Sequence, residues 1–123
     1  MPGPTFLCGL DAAVNVVGGK WKALILWALS VQPRRTGALR RELEGISEKV
    51  LIQQLRELQR DGIIDRVVHD QVPPKVLYSL TPMGIELDKS LASLGAWGER
   101  HMEQISALRC ATATQSSGSA LDP

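Results

Sequence analysis

The sequence predicts a mainly α-helical chain carrying one small β-hairpin, and three observations predict it. Apolar residues recur at helical spacing through two segments before Asp61; the period shortens from 3.6 to 2 after Asp61-Gly62; Thr81-Pro82 then opens a last helical stretch. The chain has 123 residues, 44% apolar and 22% charged, which suits one domain with one core.

Residues 1–9 contain Pro2, Gly3, Pro4 and Gly9 and are expected to form a flexible arm. The first ten residues hold no Lys or Arg and do not read as a signal peptide, so a cytoplasmic protein is expected. Asp11 is predicted to cap a short helix over residues 11–17, ended by Gly18-Gly19. Residues 20–29 place Trp21, Leu24, Ile25 and Ala28 on one helical face, so a core helix is expected, with Trp21 and Trp27 as packing residues.

Gln32-Pro33 interrupts this helix. Thr36 is the expected N-cap of a short helix over residues 37–43, with Leu39 and Leu43 facing inward. Glu44-Gly45 ends it, and Ser47 caps the next helix, whose first turn holds Glu48 to complement the dipole. Helix, tight glycine-containing turn, helix is the helix-turn-helix arrangement. In the strands that follow, Ile64, Arg66, Val68 and Asp70 alternate with Asp65, Val67 and His69, and Val76, Tyr78 and Leu80 with Lys75, Leu77 and Ser79. Val72-Pro73-Pro74 forms the turn between them. A hairpin after a helix-turn-helix makes a winged helix-turn-helix.

Thr81 caps the last helix, with Pro82 at its first position, where a missing N–H costs nothing. That helix is expected to run to about Leu108. Leu87, Leu91, Leu94, Gly98, His101, Ile105 and Leu108 step by 4 and 3, a seam for another helix, which predicts a homodimer built by the terminal helices. The same residues could instead pack on their own core. Residues 10–110 would thus form the domain, and residues 111–123, rich in Ser, Thr, Ala and Gly, a disordered tail.

The helix over residues 47–61 carries the candidate site. On a helical wheel Leu51, Leu55 and Leu58 cluster on one side, while Lys49, Gln53, Arg56 and Arg60 form a stripe of long donors opposite. Arg and Lys can bond guanine O6 and N7, and Gln can pair with adenine N6 and N7, so Ser47, Lys49 and Gln53, nearest the helix start, are expected to meet base edges of double-stranded DNA. Lys20, Arg34, Arg35, Arg40, Arg56 and Arg60 are the candidates for phosphate contacts, with His69 and Lys75 on the wing. From Lys20 to Gly84 eleven Lys or Arg face seven Asp or Glu, leaving +4 in a chain of net charge +1. Alone, such a stripe is an ordinary solvated face; the Arg-rich helix before it and the hairpin after it favour DNA. The competing reading is a winged helix that binds protein, which would expose apolar residues at these positions.

An enzyme lacks its parts here: there is no His-Glu-x-x-His, Cys-x-x-Cys or Gly-x-Ser-x-Gly, and Gly18-Gly19-Lys20 lacks the rest of a phosphate-binding loop. No metal and no cofactor is expected. Cys8 and Cys110 are too few for a disulfide framework and lack metal-ligand spacing.

Gly18-Gly19-Lys20-Trp21-Lys22, Gly45-Ile46-Ser47, Gln53-Gln54-Leu55-Arg56, Asp61-Gly62, Val72-Pro73-Pro74-Lys75-Val76 and Tyr78-Ser79-Leu80-Thr81 occur in this order. In this ordered series the chain resembles the HxlR family of bacterial winged-helix regulators, and the resemblance covers residues 8–98. The resemblance implies a homodimer that binds operator DNA. The chain departs from the family pattern at Thr36 and Ala38, where an aromatic residue and a Glu are usual. Cys8 falls where the family commonly has a cysteine, which in some members senses oxidants or electrophiles. A helix start favours a thiolate there, whereas the neighbouring Asp11 charge opposes it. An oxidant or a small-molecule effector is therefore a candidate partner.

Overall fold

The computed structural model describes residues 5–118 as seven elements, five helices and one antiparallel strand pair. They are α1 (Gly9–Val17), α2 (Lys22–Val31), α3 (Thr36–Glu42), α4 (Glu48–Arg60), β1 (Ile64–His69), β2 (Lys75–Leu80) and α5 (Pro82–Gly118). Two compact units divide the chain, Met1–Lys89 and Ser90–Pro123.

The core of the first unit is aliphatic: Ile25, Leu26, Leu39, Leu51, Leu55, Leu58 and Ile64 are all less than 2% exposed. Burying each such side chain contributes roughly 1.5–3 kcal/mol. Leu39 and Leu43 of the helix-turn-helix are buried as the spacing predicts. Gly45, at φ +96°, turns the chain between α3 and α4 in the left-handed region that glycine adopts without strain. Ser47 Oγ accepts the Val50 N–H at 3.1 Å, capping α4. Its other end closes with Gly62 at φ +74°, the Ile63 N–H bonding Leu58 O at 2.9 Å across the turn.

The hairpin pairs Ile64 with Leu80 through His69 with Lys75. Its second strand gains a further partner on its other side, where Arg34 N donates to Tyr78 O at 2.9 Å and Tyr78 N to Arg34 O at 2.8 Å. The link between α2 and α3 thereby fixes the wing against the helices. Thr81 N donates to Ile63 O at 3.0 Å, and Thr81 Oγ1 donates to Gly62 O at 2.6 Å and accepts from Gly84 N at 3.0 Å. One residue thus locks the end of α4 to the start of α5. Gly84 is buried here, and a Cβ on it would overlap the Ile63 carbonyl.

Several boundaries and faces differ from expectation. Helix α1 begins at Gly9, inside the expected arm, and Asp11 lies in its first turn, where Oδ2 accepts the Leu7 N–H at 2.9 Å instead of capping from outside. Thr36 is the first residue of α3, and Arg35 holds the N-cap position without a side-chain bond. The buried face of α2 is Lys22, Ile25, Leu26, Ala28 and Leu29, leaving Leu24 38% and Trp27 61% exposed. Because α2 is apolar nearly all round, periodicity alone could not set its orientation, and the single charged side chain on its inner face hid that face. Helix α5 continues to Gly118, past Leu108 and into the expected tail, with Thr112 Oγ1 bonding Leu108 O at 2.9 Å. Residues 1–4 and 119–123 of the expected arm and tail lie outside the described residues.

Candidate nucleic-acid interface

Helix α4 has two faces of opposite character. Leu51, Leu55 and Leu58 are at most 1% exposed, whereas Lys49, Gln53, Arg56 and Arg60 are all exposed. Thirteen residues give α4 a length of about 20 Å, enough to lie along a major groove. Lys49, Gln53 and Arg56 line one open hollow with Glu48, Ile52 and Glu57, so three of the four stripe residues share a continuous surface. Arg60 stands apart: its Nε lies 3.1 Å from Asp61 Oδ1, and the hydrogen bond and charge of Asp61 hold its guanidinium pKa above the ordinary value. Ser47 is exposed at the start of the stripe with its oxygen accepting from Val50, which leaves the hydroxyl proton available.

The arginines preceding α4 divide. Arg34 turns inward, with NH1 2.8 Å from Glu42 Oε1 and Nε donating to Ala28 O at 3.3 Å, its side chain 17% exposed. The structure therefore gives Arg34 an internal partner in place of the expected phosphate. The reason is the bridge to Tyr78, which fixes the backbone so that the side chain falls over α2 and α3. Arg35, Arg40 and Arg41 are exposed, and Arg40 approaches Glu48 only to 3.9 Å. A second hollow at the corner of α3 and α4 is lined by Gly37, Arg40, Arg41, Glu44, Gly45 and Ile46. Lys20 Nζ sits 4.7 Å from the centre of the Trp21 ring, and the ring edge lies 3.9 Å from where a Gly45 Cβ would be. On the wing, His69 and Lys75 are opposite each other in the last register pair before the turn.

Of the seam residues, Leu87, Leu91, Gly98, His101 and Ile105 are partly exposed, while Leu94 and Leu108 are 62% and 60% exposed. The Trp97 and His101 ring centres lie 5.0 Å apart, the rings tilted 42° to each other. Helix α1 buries no residue, and Leu10 and Val14 are open to solvent along it. Cys8 occupies the N-cap position of α1 and is exposed, as is Cys110.

Two residues escaped the sequence reading. Lys22 is 7% exposed and its Nζ lies 3.0 Å from Glu57 Oε2, joining α2 to α4. A Lys in an apolar helix reads as a surface residue, and no local pattern pairs it with Glu57 in the sequence.

The HxlR-like helix-turn-helix family matches residues 16–106. The chain belongs to that family. It is accordingly a DNA-binding transcription regulator with a winged helix-turn-helix, and the relatives it matches are regulators, not enzymes. It is 46% identical over 99 residues to YkvN, an HTH-type transcriptional regulator of Bacillus subtilis, covering 80% of this chain and 84% of YkvN. Among solved structures, the redox regulator HypR in its reduced form superposes with a TM-score of 0.77 at 36% identity, covering 81% of this chain and 99% of HypR. The reduced transcriptional regulator YodB from B. subtilis gives 0.69 at 30% identity, over 77% of this chain and 94% of YodB. Among the described residues no helix is both long and apolar enough to cross a membrane, and no cluster of His, Cys, Asp or Glu could hold a metal ion.

Proposed function

We propose that this HxlR-family regulator works in the cytoplasm as a homodimer, each subunit placing α4 in the major groove of one half of a twofold-symmetric operator. The observation that carries this reading is the shared surface of Lys49, Gln53 and Arg56 above a fully buried leucine face. Lys49 and Gln53, with the Ser47 hydroxyl, read base edges, and Arg56 and Arg60 meet phosphates further along α4. Arg35 and Arg40 hold the backbone beside α3, Lys20 does so at the helix-turn-helix corner, and His69 and Lys75 do so from the wing. The domain of residues 10–110 supplies the dimer through its terminal helices. Leu87, Leu91, Leu94, Ile105 and Leu108 of α5 and the exposed apolar residues of α1 are the surfaces that support it.

Arg35 is exposed and makes no ion pair among the described residues, so it offers its charge undivided. Replacing it by Ala should weaken specific and scrambled duplexes alike and lower the slope of log affinity against log salt by about one per subunit. Titrations across a salt series read this directly; a loss confined to the specific duplex would make Arg35 a base reader.

The likeness to HypR, a redox regulator, supports a response at Cys8, which is exposed at the positive end of α1. Hydrogen peroxide would convert its thiolate to a sulfenic acid, one peroxide oxygen going to sulfur and the other leaving as hydroxide, which takes a proton from solvent. Peroxide is then expected to release DNA from the native chain and not from Cys8→Ser, measured by anisotropy before and after reduction. Equal release from both would remove Cys8 from the response.

A further inference from the structure

Lys22 is the one buried charged residue among the described residues, and its position is unfavourable twice over. It is the first residue of α2, at the positive end of the helix dipole, and it is 93% removed from water if its 7% exposure is read as the remainder. Glu57 Oε2, 3.0 Å away, offsets both penalties. An apolar residue of similar length would fill the space without either cost, so the pair calls for a role beyond packing.

Where the pair sits supplies that role. Glu57 is one helical turn beyond Gln53 and lines the same hollow as Lys49, Gln53 and Arg56, so its carboxylate belongs at once to the scaffold and to the DNA-facing surface. A carboxylate at that place repels phosphate unless neutralised. Its charge is also felt by Arg60, three residues further along α4. The buried ammonium of Lys22 holds it on the α2 side, and Arg56 is left without an ion pair among the described residues. The buried Leu51, Leu55 and Leu58 decide which face of α4 meets the core, and the directional ionic contact on its flank narrows the rotation that remains about its axis.

We propose that the Lys22–Glu57 pair is a positioning device for DNA reading, narrowing the rotation of α4 to the one that presents Lys49 and Gln53 to base edges. This rests on α4 being the reading helix. Specificity therefore depends on a residue that touches no DNA.

The test compares the duplex enriched by the native chain from a random pool with a scrambled duplex of equal length. Glu57→Gln, at a partly exposed position, should bind the enriched duplex about tenfold more weakly, the scale of one lost base contact, while holding the scrambled duplex as well as before or better. The double variant Lys22→Met/Glu57→Gln removes both charges, leaves none buried and unpaired, and should show the same fall in ratio with scrambled binding retained. A merely structural pair would leave the ratio of the two affinities unchanged in both variants, and that result overturns the proposal. Gln53→Ala separates the two levels: if it lowers the ratio while both pair variants keep it, the positioning role alone fails. If Gln53→Ala also leaves the ratio intact, base reading by α4 fails and takes the proposal with it.

Discussion

Replacing Gly84 by Ala is expected to destabilise the protein by about 3 kcal/mol, because the new Cβ would have to occupy the position of a backbone carbonyl. Side chains yield to such intrusions by changing rotamer; Ile63 O cannot, since it already accepts the Thr81 N–H at 3.0 Å. Moving it would loosen the junction that Thr81 makes between Gly62, Ile63 and the first turn of α5. The consequence reaches the site, because that junction closes the C-terminal end of α4. A urea titration followed by tryptophan fluorescence should show a large drop in midpoint with the slope retained. A midpoint equal to that of the native chain would mean that α5 does not approach Ile63 so closely in solution.

Gln53→Ala should have the largest effect on recognition. Gln53 is exposed at the centre of the α4 stripe, within the hollow it shares with Lys49 and Arg56, and its amide is the one side chain there that both donates and accepts. Losing it should cost roughly 1–3 kcal/mol on the specific duplex, a factor of about 5 to 150, and little on scrambled DNA. Selection repeated with the variant should recover sequences degenerate at one position in each half-site. Equal weakening of both duplexes would make Gln53 a backbone contact.

How much of this could be read from sequence varied with the physical signal. Helix α4 was legible because its two faces differ sharply: leucines at 51, 55 and 58 against long donors at 49, 53, 56 and 60 leave one orientation with a buried core. Its ends were legible too, Ser47 as a cap and Gly45 and Gly62 as left-handed turns. The shift to period 2 marked the hairpin, although β1 ends at His69, one residue before the expected Asp70, and its residues after Ile64 are all exposed instead of alternating. Helix α2 was harder, since nearly every residue is apolar and the one charged residue on its inner face, Lys22, points away from solvent. Arg34 was misleading for a different reason: adjacent arginines look equivalent in a sequence, and only the bridge to Tyr78 separates the inward Arg34 from the outward Arg35. Long-range pairings such as Lys22 with Glu57, 35 positions apart, leave no local signature. Helix α5 ran past its expected end because Ala and Thr tolerate a helix without requiring one.

The central claim is that paired α4 helices read a symmetric operator, and selection of bound duplexes from a random pool tests it most directly. The account predicts enrichment of an inverted repeat whose half-sites are separated by one helical turn of DNA or a multiple of it, with base preference confined to the positions that Ser47, Lys49 and Gln53 reach. A pool that stays random, or one that yields a single unrepeated site, would contradict it.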